Sequence, residues 1–301
     1  MRLKKKKNIG KHLTETGNPA SERIDSASSY RIAQIINSED RRVALAVRSQ
    51  LKAIAKGIDM VGEAFAHGGR LFYVGAGTSG RLGVLDATEC SPTFGISPAK
   101  VQGILAGGKR ALWRSVEGAE DDLEAGAQSI RKARVDGRDV VCGISASGKT
   151  PFVRGALMEA KRRKARRLLI SCHPAPAIAP WAELLIRPVV GPEVIAGSTR
   201  MKAGTATKMV LNMISTGAMI RLGKVYQNLM VDVKPLSRKL QQRAEGILMT
   251  LLGCSRLGAK DLLEKAKGRA KVAVVMGARK CSAKEATRKL RGKKGFLRDI
   301  L

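Results

Sequence analysis

Aromatic residues fill only 3% of the 301 positions, so little is available to build a surface that stacks unpaired bases on Phe, Tyr or Trp. Histidine is confined to His12, His67 and His173, with no H-x-x-x-H spacing, which gives a histidine-rich metal site no support. The five cysteines, Cys90, Cys142, Cys172, Cys254 and Cys281, are odd in number and lack C-x-x-C spacing. A disulfide framework and a zinc cluster are therefore excluded, and the thiols are expected to be reduced and mostly buried. No transition metal is expected. No apolar run approaches the ~18 residues of a membrane span. The N-terminal MRLKKKKNIGKH runs into polar TETGNPASER rather than an apolar signal core, which predicts a cytoplasmic site.

Acidic residues are the remaining shortage: 25 Asp and Glu stand against 56 Lys and Arg, a formal charge of +31. Such an excess suits a polyanion. Its distribution does not, because it is spread over KKKK at 4–7, KRRKARR at 161–167 and the tail from Lys260 to Lys294, without aromatic interleaving. Nucleic acid is not expected as the main partner. A solvated basic surface that attracts anionic substrates, phosphosugars included, is.

With 44% hydrophobic residues, the chain can bury one large core, or one core and a small second domain. Between 28 and 66, Ile32, Ile35, Ile36, Val43, Leu45, Val47, Leu51, Ile54 and Ile58 recur at intervals near three and four, predicting two helices. Short apolar runs ending at turns follow at 70–77, 100–107, 139–145, 166–172 and 184–191, and read as buried parallel strands. Helical stretches around 79–90, 111–133 and 151–164 alternate with them. The pattern predicts an α/β fold, a three-layer αβα sandwich on a mainly parallel five-stranded sheet, with functional groups at the C-terminal ends of the strands. Residues 201–222 should form a long buried helix, and amphipathic segments at 236–252, 259–266, 268–277 and 283–290 a small helical domain over 235–301. Residues 1–20 are expected to be a disordered basic segment, and 21–234 the main domain with its N-terminal helices.

Two readings compete for VVCGISASGKTP at 140–151. From Gly143 to Thr150 it matches G-x-x-x-x-G-K-[ST], a nucleotide P-loop. From Ser145 it is S-x-S-G-x-T, in which the hydroxyls of Ser145, Ser147 and Thr150 can bind one sugar phosphate at a helix N-terminus, or simply cap that helix. A P-loop protein also needs an acid after another apolar strand to hold magnesium, and RRLLISCHP supplies none. In GAGTSGR at 75–81, Gly75, Gly77 and Gly80 satisfy a dinucleotide spacing, but the next strand ends in ILAGGK without the required acid. Thr78, Ser79 and Arg81 of that loop can instead meet an anion or a sugar hydroxyl.

Three further segments, DATECSPTFG at 86–95, SVEGAED at 115–121 and GPEVIAGSTRMKAGTAT at 191–207, closely resemble the N-acetylmuramic acid 6-phosphate etherase family within the sugar-isomerase (SIS) superfamily. The resemblance runs from about Ile24 through GKVYQNLMVDV at 223–233, and more weakly to Phe296. The GPE…GSTRMK run is also similar to glucokinase regulatory proteins, which are larger, carry two sugar-phosphate domains and act by binding.

The resemblance implies a lyase that removes the D-lactyl ether from N-acetylmuramic acid 6-phosphate, giving N-acetylglucosamine 6-phosphate and D-lactate without a cofactor. It implies Glu89 as general acid/base and Glu120 as the second catalytic carboxylate, with Glu117 and Glu193 left as competitors for the base. Thr78, Ser79, Ser145, Ser147, Thr150, Glu193, Ser198 and Thr199 become substrate-binding candidates, while Arg200 and Lys202 are open to structural or interface roles. Lys149 departs from the pattern, which commonly has Arg there. A homodimer with shared sites is also implied. On one continuous helix, Ser79 and Glu89 would lie about 15 Å apart, unless Gly83 lets the helix break.

Overall fold

The computed structural model describes residues 13–233, 235 and 237–301; most of the segment expected to be disordered lies outside the described residues, and its described part is ordered, with 3-10 turns at Leu13–Glu15 and Pro19–Ser21. The chain forms two compact units, Met1–Asp86 with Val101–Ile214, and Ala87–Lys100 with Ser215–Leu301. Among the described residues no helix is long and apolar enough to cross a membrane.

The first unit is built on five parallel strands, β1 (Leu71–Gly75), β2 (Val101–Leu105), β3 (Val140–Ile144), β4 (Arg166–Ile170) and β5 (Leu184–Ile186), in the order β2-β1-β3-β4-β5. Every residue of β1 and β3 is buried, as unbroken apolar runs covered on both faces require. Alternation then sorts the side chains between the faces. Phe72, Val74, Val141 and Leu169 pack with Ile130 of α4 (Leu123–Lys132) and with Phe152, Val153, Ala156 and Leu157 of α5 (Pro151–Arg162). On the other face, Gly57 of α2 (Leu51–Ala66) lies so close to Leu168, Ile186 and Ile214 that an added Cβ would sit 3.1 Å from the Leu168 side chain. The helix before it, α1 (Ser29–Arg48), starts on a Ser28 cap.

The helix expected over 111–133 is shorter. A 3-10 turn covers Gly108–Leu112, SVEGAED is irregular, and α4 begins only at Leu123, where Asp122 accepts from the Ala125 amide at 2.8 Å. The aspartate cap and the left-handed Gly118 (φ 70°) hold this acidic segment out of the helix. By contrast, α3 (Gly77–Phe94) is one continuous helix, despite Gly83 and Pro92. Gly83 serves close packing instead: a Cβ there would lie 2.8 Å from that of Tyr73. α6 (Lys202–Arg221) is the long helix expected, and the division between the units falls within α3 and α6.

In the second unit, α7 (Arg238–Leu252), α8 (Arg256–Lys265), α9 (Ala270–Arg279) and α10 (Ala283–Gly292) enclose a core that includes Ala244, Leu248, Ala259, Ala273 and Val274. Ser237, Ser255 and Ser282 cap three of these helices, the last in a reciprocal capping box with Glu285.

Candidate active site

The strand order reverses between β1 and β3, and at such a switch point the connections leave in opposite directions and open a crevice at the strands' C-terminal ends. Gly75 pairs with Ile144, so the β1–α3 and β3–α5 loops leave the sheet side by side. In the first loop the backbone folds tightly onto itself: a Cβ on Gly80 would come within 2.4 Å of the Gly75 carbonyl oxygen. Thr78 and Ser79, both half-buried, occupy the first turn of α3, where backbone amides are unpaired within the helix and attract an anion.

In the second loop Ser145 is buried, and its Oγ lies 2.8 Å from Thr150 Oγ1 while accepting the Gly148 amide at 3.1 Å. Gly148 takes φ +68° against Pro176, a position no Cβ could share. Thr150 precedes α5 but makes no side-chain cap there, so its hydroxyl shapes the loop together with Ser145. Ser147 is half-buried at the loop's tip and Lys149 is exposed. The first amide of α5, that of Phe152, donates to the Glu120 carbonyl at 3.0 Å. The acidic segment is thereby fastened to the start of the helix that follows the hydroxyl loop.

A cavity of about 190 Å³ opens beside it, at the ends of β1 and β2, and Glu117 and Glu120 share its wall with Gly77 and Arg81. Arg81 is held by donating Nε to the Ala111 carbonyl at 2.9 Å. Both carboxylates are exposed. Two acids and one fixed cation in a small polar recess suit proton transfer beside an anionic group.

The loop 191–201 leads into α6. Glu193 is buried and accepts the Lys202 and Ala203 amides, each at 2.9 Å, so it caps that helix. Lys202 is fully buried and its Nζ donates to Glu39 of α1. Burial alone would push the Glu39 carboxyl up, but hydrogen bonds from Lys202, Asn18 and Arg42 outweigh it and hold the group below its ordinary range. Ser198 and Thr199 are half-buried. A Cβ on Gly204 would lie 3.6 Å from both the Thr199 oxygen and the Thr78 methyl, so the starts of α3 and α6 adjoin.

Thr78, Ser79, Ser145, Ser147, Thr150, Glu120 and the 198–199 pair therefore belong to segments gathered toward the C-terminal ends of the strands of one sheet. Glu89 is exposed on α3, in the stretch belonging to the second unit. Just before that stretch, Asp86 accepts the Tyr73 hydroxyl at 2.8 Å. Asn18 and Glu39 were not expected in connection with this region; Asn-Pro reads locally as a turn, and nothing in the sequence ties it to residues beyond 190. Among the described residues no group of three His, Cys, Asp or Glu converges as metal ligands. Cys142 and Cys172 are buried, and burial raises both thiols, that of Cys172 to about 12 with Glu193 adding to the rise, so neither supplies a thiolate nucleophile.

Residues 53–161 match the family described as glucokinase regulatory protein N-terminal SIS domain. The N-acetylmuramic acid 6-phosphate etherase of Photorhabdus laumondii is 46% identical over 98% of this chain and 98% of its own length. That of Glaesserella parasuis is 52% identical over 90% of this chain and 89% of its own, and that of Shouchella clausii 48% over 96% and 98%. Among solved structures, a protein described as a phosphosugar isomerase involved in capsule formation from Bacteroides fragilis aligns with a TM-score of 0.50 at 18% identity, over 65% of this chain and 94% of its own, a likeness of fold.

Proposed function

The chain belongs to the N-acetylmuramic acid 6-phosphate etherase family, and we propose that it is itself such an etherase, a carbon–oxygen lyase acting on this phosphosugar. The observation that carries the proposal is the near full-length likeness to etherases at 46% identity and above, which spans both units. A glucokinase-regulator-like binding protein is the alternative; its family match covers only residues 53–161.

In the open-chain sugar the aldehyde acidifies the proton on the adjacent carbon. A carboxylate base removes that proton while a carboxylic acid protonates the departing lactyl oxygen, and water then adds to the unsaturated aldehyde. We assign Glu89 to the acid/base role at the lactyl oxygen and the incoming water, and Glu120 to the second carboxylate. The bond from the Phe152 amide to the Glu120 carbonyl supports the latter, as it brings the backbone of that segment to the start of α5, next to the hydroxyl loop. Glu117 shares the recess and remains the competitor. Ser145, Ser147 and Thr150 would hold the phosphate, with Thr78, Ser79, Ser198 and Thr199 completing the sugar site. For Glu193 the capping bonds favour holding α6 over touching the ligand. A cytoplasmic homodimer and a basic surface that draws in the anionic substrate complete the reading.

Incubating the purified protein with N-acetylmuramic acid 6-phosphate and assaying free D-lactate tests it. Turnover is expected; thermal stabilisation by the substrate without lactate would make the chain a sensor.

A further inference from the structure

Residues 14–21 are tied to the loop 191–199 at three points. Gly197 donates its amide to the Thr14 carbonyl at 2.7 Å, Asn18 donates Nδ2 to the Pro192 carbonyl at 3.1 Å, and Ser21 donates Oγ to the Val194 carbonyl at 2.6 Å. The Glu15 carboxylate covers Gly197, where an added Cβ would lie 3.0 Å from Oε2.

Asn18 is the hub. It is buried and both ends of its amide are used, Oδ1 accepting the Ala20 amide at 2.9 Å and Nδ2 donating also to Glu39 Oε2 at 2.8 Å. Glu39 in turn receives the Lys202 ammonium. One side chain thus reaches the loop's beginning directly, at Pro192, and its end through Glu39, at Lys202. Between those ends Val194 is buried, but Ile195, Ala196 and Gly197 after it are exposed, so the stretch that leads to Ser198 and Thr199 has no buried apolar anchor. Its order must come from polar ties, because fixing one residue's backbone costs about 1–2 kcal/mol.

We propose that Asn18 is a positioning residue for the sugar-phosphate site, and that Thr14–Ser21 is a strap holding the 191–199 loop in its binding conformation. The strap acts on Ser198 and Thr199 without touching the ligand, by ordering them before substrate arrives. This inference rests on the reading of Ser198 and Thr199 as ligand groups.

Two variants, Asn18→Ala and the milder Ser21→Ala, test it in the full-length protein. Amide hydrogen exchange in the free protein is expected to quicken at Gly197 through Lys202 and stay unchanged in β1 and β3. For Asn18→Ala, KM should rise roughly tenfold, as expected for the loss of one or two hydrogen bonds, with kcat within about threefold of wild type. Ser21→Ala should move both readouts in the same direction by less; if Asn18→Ala does not fold, it decides alone. Wild-type exchange in the loop, or wild-type KM with a loosened loop, overturns the inference even if the melting temperature falls. Wild-type protein that releases no lactate would overturn the functional reading instead. Affinity for N-acetylglucosamine 6-phosphate, measured by calorimetry, then takes the place of KM in the same comparison.

Discussion

Glu193 accepts the backbone amide of Lys202, whose ammonium is held at the same time by Glu39, so two buried carboxylates grip one lysine at opposite ends. The Ala203 amide occupies the other Glu193 oxygen. Glu193→Gln would turn an NH₂ group toward one of these amides and leave it without an acceptor, so a loss of about 1–3 kcal/mol in urea unfolding is expected. Turnover should stay within tenfold of wild type. A fall on the scale of ~10²–10⁴ would instead make Glu193 the catalytic base.

The hydroxyl loop divides its labour between two serines. Ser145 is buried and bonded to Thr150 and to the Gly148 amide, whereas Ser147 stands half-buried at the tip. Ser145→Ala should therefore lower stability by about 1–3 kcal/mol, because it strips buried groups of a partner. Ser147→Ala should leave stability nearly unchanged and weaken substrate binding by the ~1.5–3 kcal/mol of a charge-assisted bond to phosphate. Thermal melts beside KM values separate the two effects; an unchanged KM for Ser147→Ala would reduce the loop to a structural turn.

How far the sequence foretells these roles depends on the range of the interactions. Leu71–Gly75 and Val140–Ile144 are legible as parallel strands because every residue in them is apolar or small and both faces are covered. The Ser145–Thr150 turn is legible because it is local. The start of α4 is not, since the apolar pattern from 111 onward conceals the Asp122 cap. The Asn18–Glu39–Lys202 chain escapes altogether: its members are 21 and 163 residues apart, and a buried polar network has no periodic signature. The linking of Glu120 to the start of α5 depends on a backbone carbonyl, which any residue could supply.

Acid lability follows from Glu39. Its carboxyl titrates below its ordinary value in the folded protein, because donors from Lys202, Asn18 and Arg42 overcome the opposing effect of burial. A depressed folded value means that the contribution is complete above the unfolded value, near 4.5, and is lost as pH falls through the folded one. At pH 7, Glu39→Gln should cost about 3–5 kcal/mol, since Lys202 would remain buried and unneutralised. In chemical denaturation carried from neutral pH down to about 3, the gap between wild type and variant should narrow below 4.5. A constant gap would mean that the pair does not control the acid limb.

Several helix ends place a lysine or arginine where glycine is the relaxed choice. Lys280 ends α9 in a left-handed conformation, φ 44° and ψ 49°, and Lys164 and Lys267 follow α5 and α8 at φ 59° and 53°. A cation suits the negative end of a helix, but a Cβ in this region costs about 1–2 kcal/mol. Lys280→Gly recovers that cost and forfeits part of it to unfolded-state entropy, leaving a net gain of about 0.5–1 kcal/mol. Lys280→Ala keeps the Cβ and should gain nothing. Equal melting temperatures for the two variants would refute this account.

The last expectation concerns Glu89 and the hydroxyl loop. Glu89→Gln should remove turnover while leaving substrate affinity within about tenfold, because the amide keeps the shape and loses a proton transfer commonly worth ~10²–10⁴ in rate. Since α3 is unbroken from Gly77 to Phe94, Ser79 and Glu89 lie about 15 Å apart along it, too far for one small sugar to reach both easily. The proposed homodimer, with each subunit completing its neighbour's site, would resolve the difficulty, and subunit exchange tests it. Mixing Glu89→Gln with Ser147→Ala chains under subunit exchange, assayed at substrate well below the raised KM of Ser147→Ala, should then lift lactate release above that of either variant alone, because one of the two sites in each mixed dimer regains both residues. Absence of recovery, with exchange verified by differently tagged chains, would show that Glu89 and Ser147 act within one subunit and would confine any sharing to other residues.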